Sequence, residues 1–385
     1  MVELVRFQEH RGLRVLRGEM QYVWDDQGRR YLDAHTGHGV AFLGHSNPKV
    51  VSRICEQARR IITLTPAFTT ELEEPLREAL GKIAPRGLSS VFFQNSGAEA
   101  VEAALKLAWA YTGREKIVAF KNSFHGRTHG ALSLTWNPKY RKGFPLMGNV
   151  VFGEYNSGEE ALSKIIDDST AAVVVEPVQG EGGIVPASKE FMQAIRKLTR
   201  ETGALLVFDE VQAGFGRTGW TWAHEAHGVD PDILLAGKSI GGGYPVSLIF
   251  TRPEIAESLK GGRHGSTFAA SPLAQAAVLG GVEAFLEDNV PQRVMEGARE
   301  LEDLLHEKLG SLRPVRSIRL AGYMVGVELR FPPGKAIKCL QEKGVLSLKA
   351  GATVVRFLPP YMITSEDRHA IAGGLRECLC REYGC

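Results

Sequence analysis

Between Val91 and Phe250 short apolar, β-rich runs alternate with stretches of helical period. The runs are Val91 to Phe93, Ile117 to Phe120, Ala171 to Val175, Ala204 to Phe208, Ile233 to Ala236 and Val246 to Phe250. That alternation argues for an α/β architecture, a largely parallel sheet covered by helices on both faces. After the first run, Ala98, Val101, Leu105 and Ala108 recur three or four apart and make one apolar stripe, with Glu99, Glu102 and Lys106 off it. Beyond Ser271 the pattern becomes a long helical region, then strand-like runs at Tyr323 to Leu329 and Val354 to Phe357, then a terminal helix from about Ser365, capped by Ser365 and Asp367. This predicts a smaller α+β unit. Its complement is the amino-terminal segment, where Gln21 to Trp24 and Arg29 to Leu32 flank the turn at Asp25 to Gly28. The expected division is 1–50 and 281–385 in the smaller unit, with 51–280 forming the larger one.

A chain of 385 residues exceeds what one core usually fills, which agrees with two units. The 46 Lys and Arg against 44 Asp and Glu leave a formal charge of +2, so the footprint of a dedicated nucleic-acid binder is missing and a charged partner must meet a local patch. Five cysteines, mostly crowded at the carboxyl end, fit neither a disulfide framework nor paired zinc knuckles; free thiols in a reducing interior are expected. No apolar run approaches the about 18 residues of a membrane span, and the first nine residues lack an apolar leader core, so a cytoplasmic protein is expected.

Candidate chemistry sits just after the strand-like runs, where open α/β sheets gather their ligands. Asn95-Ser96-Gly97-Ala98 opens a helix whose backbone N–H groups, with the Ser96 hydroxyl, form a seat for a phosphate. Alone, such a strand, turn and helix occur in many folds, where the serine only caps the helix. Asp209 closes an apolar strand and needs a cationic or hydrogen-bonding partner; with no ligand-spaced cluster nearby, a protonated ligand nitrogen is preferred over a metal. Lys238, between Gly237 and the Gly241-Gly242-Gly243 run, is a candidate amine nucleophile whose pKa burial lowers. Phe124 and Arg127 suit a flat ring and a carboxylate respectively. The glycines do not form the dinucleotide fingerprint, which disfavours a nicotinamide dehydrogenase.

A phosphate seat, a carboxylate, an amine and an aromatic plate are the parts that hold pyridoxal phosphate. The strings Asn95-Ser-Gly-Ala-Glu-Ala100, Phe124-His-Gly-Arg127, Glu176-Pro-Val-Gln-Gly-Glu-Gly-Gly183, Phe208-Asp-Glu-Val-Gln212 and Gly265-Ser-Thr-Phe268 resemble the class III, ornithine-type aminotransferases over nearly the whole chain. Within that family, Asp33 to His45 and Val345 to Gly351 are similar to the archaeal enzymes that act on lysine or ornithine attached to an amino-group carrier protein.

The resemblance implies a pyridoxal-phosphate-dependent transferase of fold type I, whose large domain has a mostly parallel seven-stranded sheet. It implies that Lys238 holds the cofactor and shuttles a proton, that Asp209 keeps the pyridine nitrogen protonated, that Gln212 bonds near the ring oxygen and that Phe124 stacks on the ring. Ser96, Gly97 and Ala98 hold the phosphate, joined by Thr267 from the second subunit of a homodimer. Arg356 binds the carboxylate of glutamate or 2-oxoglutarate and otherwise pairs with Glu181, while Arg127 clamps the far α-carboxylate of the diamino substrate; Ser266 belongs to the same substrate set. No metal is implied.

The implied setting is lysine and arginine biosynthesis. Acetylornithine or succinyldiaminopimelate aminotransferase shares every cofactor residue and remains the alternative, with a pyridoxal-phosphate aminomutase more remote. An acidic carrier calls for a basic rim, for which Arg11, Arg14, Arg17, Lys139, Arg141, Lys142 and Lys349 are candidates. The chain departs from family habit at Thr267 to Pro272, where Ala269, Ala270 and Ser271 replace two glycines and an asparagine, and at Arg319-Leu-Ala-Gly322, where Arg-Gly-x-Gly is common.

Overall fold

A computed structural model describes residues 2–5, 7 and 10–385; residues 1, 6, 8 and 9, which enter the leader reading, lie outside them. At its centre stands a seven-stranded sheet in the order Ser90–Gln94, Ser247–Thr251, Ile233–Ala236, Leu205–Asp209, Thr170–Val175, Lys116–Phe120 and Val150–Gly153. Only Ser247–Thr251 runs against its neighbours; the strands beyond it pair in parallel. All six expected runs are present. The seventh, Val150–Gly153, lies at the sheet edge with three of its four residues half-buried, and its short Val-Val-Phe run gave little signal.

Alternate side chains of these strands serve two separate cores. Ile117, Ala119, Leu205 and Val207 pack with the helix Gly97–Thr112 on one face, whereas Val118, Phe120, Leu206 and Phe208 pack with the helix Lys189–Thr202 on the other. Both faces are therefore dry, which is why the strands read as unbroken apolar runs. The helix Gly97–Thr112 is capped where Ser96 Oγ accepts from the Glu99 N–H at 3.3 Å and ends at Gly113 in the left-handed region. Its burial is wider than the expected stripe, because Ala100, Ala103, Ala104 and Leu107 are buried beside Val101, Leu105 and Ala108. Small side chains let it approach the sheet on more than one side.

Carboxyl-terminal to the sheet, helices Pro272–Glu287 and Val290–Leu309 lead into a second sheet of order Val315–Ala321, Met324–Leu329, Val354–Phe357 and Leu348–Ala350. The amino-terminal meander of Val15–Glu19, Tyr22–Asp25 and Arg30–Asp33 joins this part, since Val345–Leu346 pairs in parallel with Arg30–Asp33. The terminal helix Ser365–Tyr383 is capped one residue earlier than expected: Thr364 accepts from Asp367 N–H, and the Asp367 carboxylate accepts from Thr364 N–H at 2.9 Å. Ser365 is already helical. Among the described residues no helix is long and apolar enough to cross a membrane.

Free thiols at the carboxyl end are not what the structure holds. Cys339 on the helix Gly334–Glu342 is disulfide-bonded to Cys378 on the terminal helix, with Cα atoms 5.7 Å apart, and Cys380 is bonded to Cys385; Cys55 is free and exposed. Cys339 and Cys378 both face the core, and their pairing depends on how the two helices pack, which spacing along the chain does not reveal.

The departure at Ala269-Ala270 is accommodated by backbone strain at one residue. Ala270 adopts φ +53°, the left-handed region in which a Cβ crowds the following carbonyl. Gln275 Nε2 donates to its carbonyl at 2.8 Å and holds the turn in place. Ser271 caps the helix Pro272–Glu287, as the family asparagine can. Leu320, in the second departure, packs against the apolar core, while Gly322 stays necessary because an added Cβ would lie 2.5 Å from the Thr218 backbone.

Protein denatured without reductant should titrate one thiol per chain and five after reduction; five before reduction would contradict the pairing. Ala270→Gly should raise the unfolding free energy in urea by about 0.5–1 kcal/mol, and a loss of stability would refute strain at that turn.

Candidate active site

The carboxyl ends of the central strands open on a cavity of about 610 Å³ lined by Ser96, Gly97, Ala98, Phe124, His125, Arg127, Glu176, Glu181, Asp209, Gln212 and Lys238, among others. The sheet brings together residues far apart in sequence because each follows a different strand. Lys238 comes directly after Ile233–Ala236 and Gly237, in a left-handed conformation of φ +47°. A non-glycine residue held there is strained, and such strain gathers at functional positions. The Lys238 ammonium makes no hydrogen bond to the described residues. Desolvation lowers its pKa; Arg356 adds to that, and Asp209, Glu181 and Glu176 oppose it.

Asp209 ends the strand Leu205–Asp209 and is only 6 % exposed. One carboxylate oxygen lies 2.7 Å from His125 Nδ1, and the other accepts from Val211 N–H at 3.1 Å. Burial alone would lower the His125 pKa, yet the hydrogen bond and charge of Asp209, with the charge of Glu176, raise it. Glu176 in turn accepts from Phe124 N–H at 2.9 Å and Gly180 N–H at 3.3 Å, and burial pushes its pKa up to about 7. His125 and Glu176 thus fix Asp209 and the Phe124 backbone. Sequence reasoning assigned neither of them a role, although both stood inside quoted motifs.

At the other end of the cavity, the amino terminus of the 16-residue helix Gly97–Thr112 presents Ser96, Gly97 and Ala98. Backbone and neighbours meet closely there: a Cβ on Gly97 would lie 2.7 Å from Val211 Cγ1. The Phe124 ring packs edge-on against Tyr140 at 5.6 Å, and the exposed Arg127 guanidinium lies 5.9 Å from the Phe124 ring centre at the mouth.

In the cavity wall stands an ion pair whose cation is buried and whose carboxylate lines the cavity. Arg356, on the strand Val354–Phe357 and fully buried, donates to Glu181 Oε1 at 2.6 Å and to Gln212 Oε1 at 3.3 Å, while its Nε has no partner among the described residues. Burial raises the Glu181 pKa but Arg356, followed by His38 and Lys238, outweighs it and holds the carboxyl below its ordinary range. Arg319 explains the stability of this wall. Its guanidinium donates to Gly183 O at 3.0 Å, Ile184 O at 3.1 Å and Glu328 Oε2 at 2.7 Å, tying the Glu181 loop to the second sheet.

Thr267 and Ser266 do not line this cavity. Thr267 is exposed. Ser266 Oγ accepts from Asn95 Nδ2 at 2.8 Å, so its loop is anchored beside the phosphate seat without entering it.

Pyridoxal phosphate can be tested against this arrangement by its donor set. An amine that is desolvated and without a hydrogen-bond partner among the described residues suits an aldehyde, and a buried carboxylate held 2.7 Å from His125 Nδ1 suits a protonated ring nitrogen. A 16-residue helix terminus suits a phosphate, and a phenyl ring suits an aromatic face. The residues present fit the group. No cluster of three or more His, Cys, Asp or Glu side chains placed for a metal occurs among the described residues.

Residues 7–379 match the family model for aminotransferase class III. The chain is 49% identical over 381 residues to LysW-aminoadipate semialdehyde/glutamate semialdehyde transaminase of Sulfolobus acidocaldarius, covering 99% of this chain and 98% of the relative. It is 50% identical to the enzyme so named in Sulfurisphaera tokodaii, over 98% of this chain and 97% of that one. Among solved structures, an ornithine aminotransferase from Toxoplasma gondii, crystallised with partial occupancy of pyridoxal phosphate at its active site, superposes with a TM-score of 0.90 at 31% identity. It covers 96% of this chain and 90% of its own.

Proposed function

This chain belongs to the class III aminotransferases, pyridoxal-phosphate-dependent transferases of fold type I, and from that premise we propose that it moves the terminal side-chain amino group of carrier-protein-bound lysine, and of ornithine likewise, to 2-oxoglutarate. The relatives' names support this substrate class, because aminoadipate semialdehyde and glutamate semialdehyde are the aldehydes left when lysine and ornithine lose that amine. The single observation that carries the reading is a desolvated Lys238 amine without a hydrogen-bond partner among the described residues, sharing one cavity with Asp209 and a helix terminus.

Pyridoxal phosphate supplies an aldehyde for amine condensation and a protonated ring that takes up the electron pair released at the amine-bearing carbon. The Lys238 amine would hold the group and, once freed, would carry the proton between that carbon and the cofactor C4′. Asp209, fixed by His125, would keep a proton on the ring nitrogen. Phe124 would stack on the ring, Gln212 would hydrogen-bond near the ring oxygen, and Ser96, Gly97 and Ala98 would hold the phosphate. The exposed Thr267 completes the seat of a second copy in a homodimer, with Ser266 at the edge of the substrate site; the exposure of Thr267 outside its own cavity supports that reading.

Arg356 is kept neutralised by Glu181 while the long amine is bound and is freed for the carboxylate of 2-oxoglutarate. Arg127, at the mouth, takes the distant α-carboxylate of the amine donor. Residues 51–280 carry the cofactor, and residues 1–50 with 281–385 supply Arg356 and close the cavity. For the acidic carrier, Lys139 and Lys142 are the best placed of the basic candidates. Both are exposed, Tyr140 between them touches Phe124, and no acidic residue occurs from Arg127 to Gly153. Arg11 is engaged instead as a brace to the Ser347 carbonyl at 2.8 Å. We place the enzyme in the cytoplasm.

Lys238→Ala should lower turnover about 10³-fold or more, with the near-visible absorbance of the bound cofactor changed; retained turnover would remove the reading. For substrate class, kcat/KM for carrier-borne lysine should exceed that for free N-acetylornithine by about tenfold or more, and the pair Lys139→Glu and Lys142→Glu should narrow the difference. Equal values for the two donors would return the enzyme to the acetylornithine type.

A further inference from the structure

If Arg356 is to receive a substrate carboxylate, the Glu181 carboxylate has to leave it, and a buried anion needs somewhere to go. Among the described residues Glu181 has two cation-capable groups within 4 Å: Arg356 at 2.6 Å and His38 Nδ1 at 3.9 Å. His38 is also within reach of the guanidinium, with Nδ1 3.5 Å from Arg356 Nη2. The imidazole therefore stands beside the pair, within 4 Å of both members.

The other cations near Glu181 are committed elsewhere. Among the described residues neither Lys238 nor Arg127 comes within 4 Å of Glu181, and on the reading above Lys238 is reserved for the proton at the reacting carbon. His35, whose ring packs edge-on against His38 at 4.9 Å, has its pKa pushed down to about 4 by burial, by His38 and by Arg11 and Arg356 against the pull of Asp33. His35 stays neutral. His38 alone is both close and wet enough to exchange a proton, its side chain being 41 % exposed against 0 % for Arg356.

We propose that His38 is a positioning residue of the second half-reaction: when a substrate carboxylate takes Arg356, Glu181 turns to the His38 imidazole, which takes up one proton from solvent on Nδ1 while keeping the one on Nε2. When the carboxylate leaves, Glu181 returns to Arg356 and the proton goes back to water. This inference rests on the reading of Arg356 and Glu181 given above.

The sign of the pH dependence follows from the groups that face His38. With the Arg356–Glu181 pair intact, burial lowers the His38 pKa below 6.5, Arg356, Lys238 and Arg127 lower it further, and Glu181 opposes them. Once a carboxylate neutralises Arg356 and Glu181 bears on the imidazole alone, that pKa rises. Binding of 2-oxoglutarate thus takes up a proton, and its affinity falls as pH rises between the two values. Entry of the amine donor, which leaves the pair intact, carries no such dependence at His38.

The test uses holoenzyme in its amino form, mixed with 2-oxoglutarate in single turnovers across pH, beside single turnovers of the aldehyde form with the amine donor. The wild type should lose up to about tenfold in apparent 2-oxoglutarate affinity per pH unit within that window. His38→Asn suits the left-handed backbone there, φ +61°, and should flatten the slope, with a larger effect on the apparent KM than on the limiting rate. Glu181→Gln, which leaves the His38 turn untouched, should flatten it too, because no anion then seeks the imidazole. A slope retained in both variants overturns the proposal. Arg356→Ala separates the two claims: unchanged 2-oxoglutarate affinity sinks the reading of Arg356 itself, whereas a lost affinity together with a slope retained in His38→Asn sinks only the role of His38.

Discussion

A carboxylate at the end of a strand buried on both faces must be answered by a proton donor, and the whole site is arranged around that demand at Asp209. The sheet that makes Asp209 dry is the same one that makes its position accurate, because Leu205 to Phe208 are fixed by packing on both sides. His125 answers one oxygen at 2.7 Å, and the Val211 amide answers the other at 3.1 Å. Both oxygens are thereby held in place, which is what a ring nitrogen requires of its partner. The next strand of the sheet delivers Lys238 to the same cavity, and desolvation there makes its amine easier to deprotonate.

The same principle recurs at the back of the cavity. Arg356 is fully buried, so its charge is tolerable only while an anion faces it, and either Glu181 or a substrate carboxylate meets that condition. A buried cation with two alternative anions is a switch by construction. What makes it usable is that the loop carrying Glu181 is held by Arg319 through the Gly183 and Ile184 carbonyls, so the side chain can move while its backbone stays in place.

Much of this was legible in the sequence because the chemistry-bearing residues interrupt apolar runs. Asp209 after Leu205 to Phe208 and Lys238 after Ile233 to Ala236 are polar residues where burial forbids them without a reason, and that incongruity marks a site. His125, Glu176, Arg319 and His38 left no such mark. Each acts through a partner fixed by tertiary packing: His125 meets Asp209 across 84 residues, and Arg356 meets His38 across 318. The Cys339–Cys378 bond was missed for the same reason, since it depends on the rotational phase of two helices. In the fold, the edge strand Val150–Gly153 was missed because one-sided burial leaves only a short apolar run. The cap of the last helix fell on Thr364 rather than Ser365 because Thr364 and Asp367 bond reciprocally, a choice between neighbours that pattern alone does not make.

The central claim, that the Lys238 amine is the one joined to pyridoxal phosphate, is tested most directly by reducing the purified holoenzyme with borohydride and mapping the fixed cofactor by peptide mass spectrometry. The account predicts one phosphopyridoxyl group per chain, on Lys238. A group on any other lysine, or none at all, would contradict it.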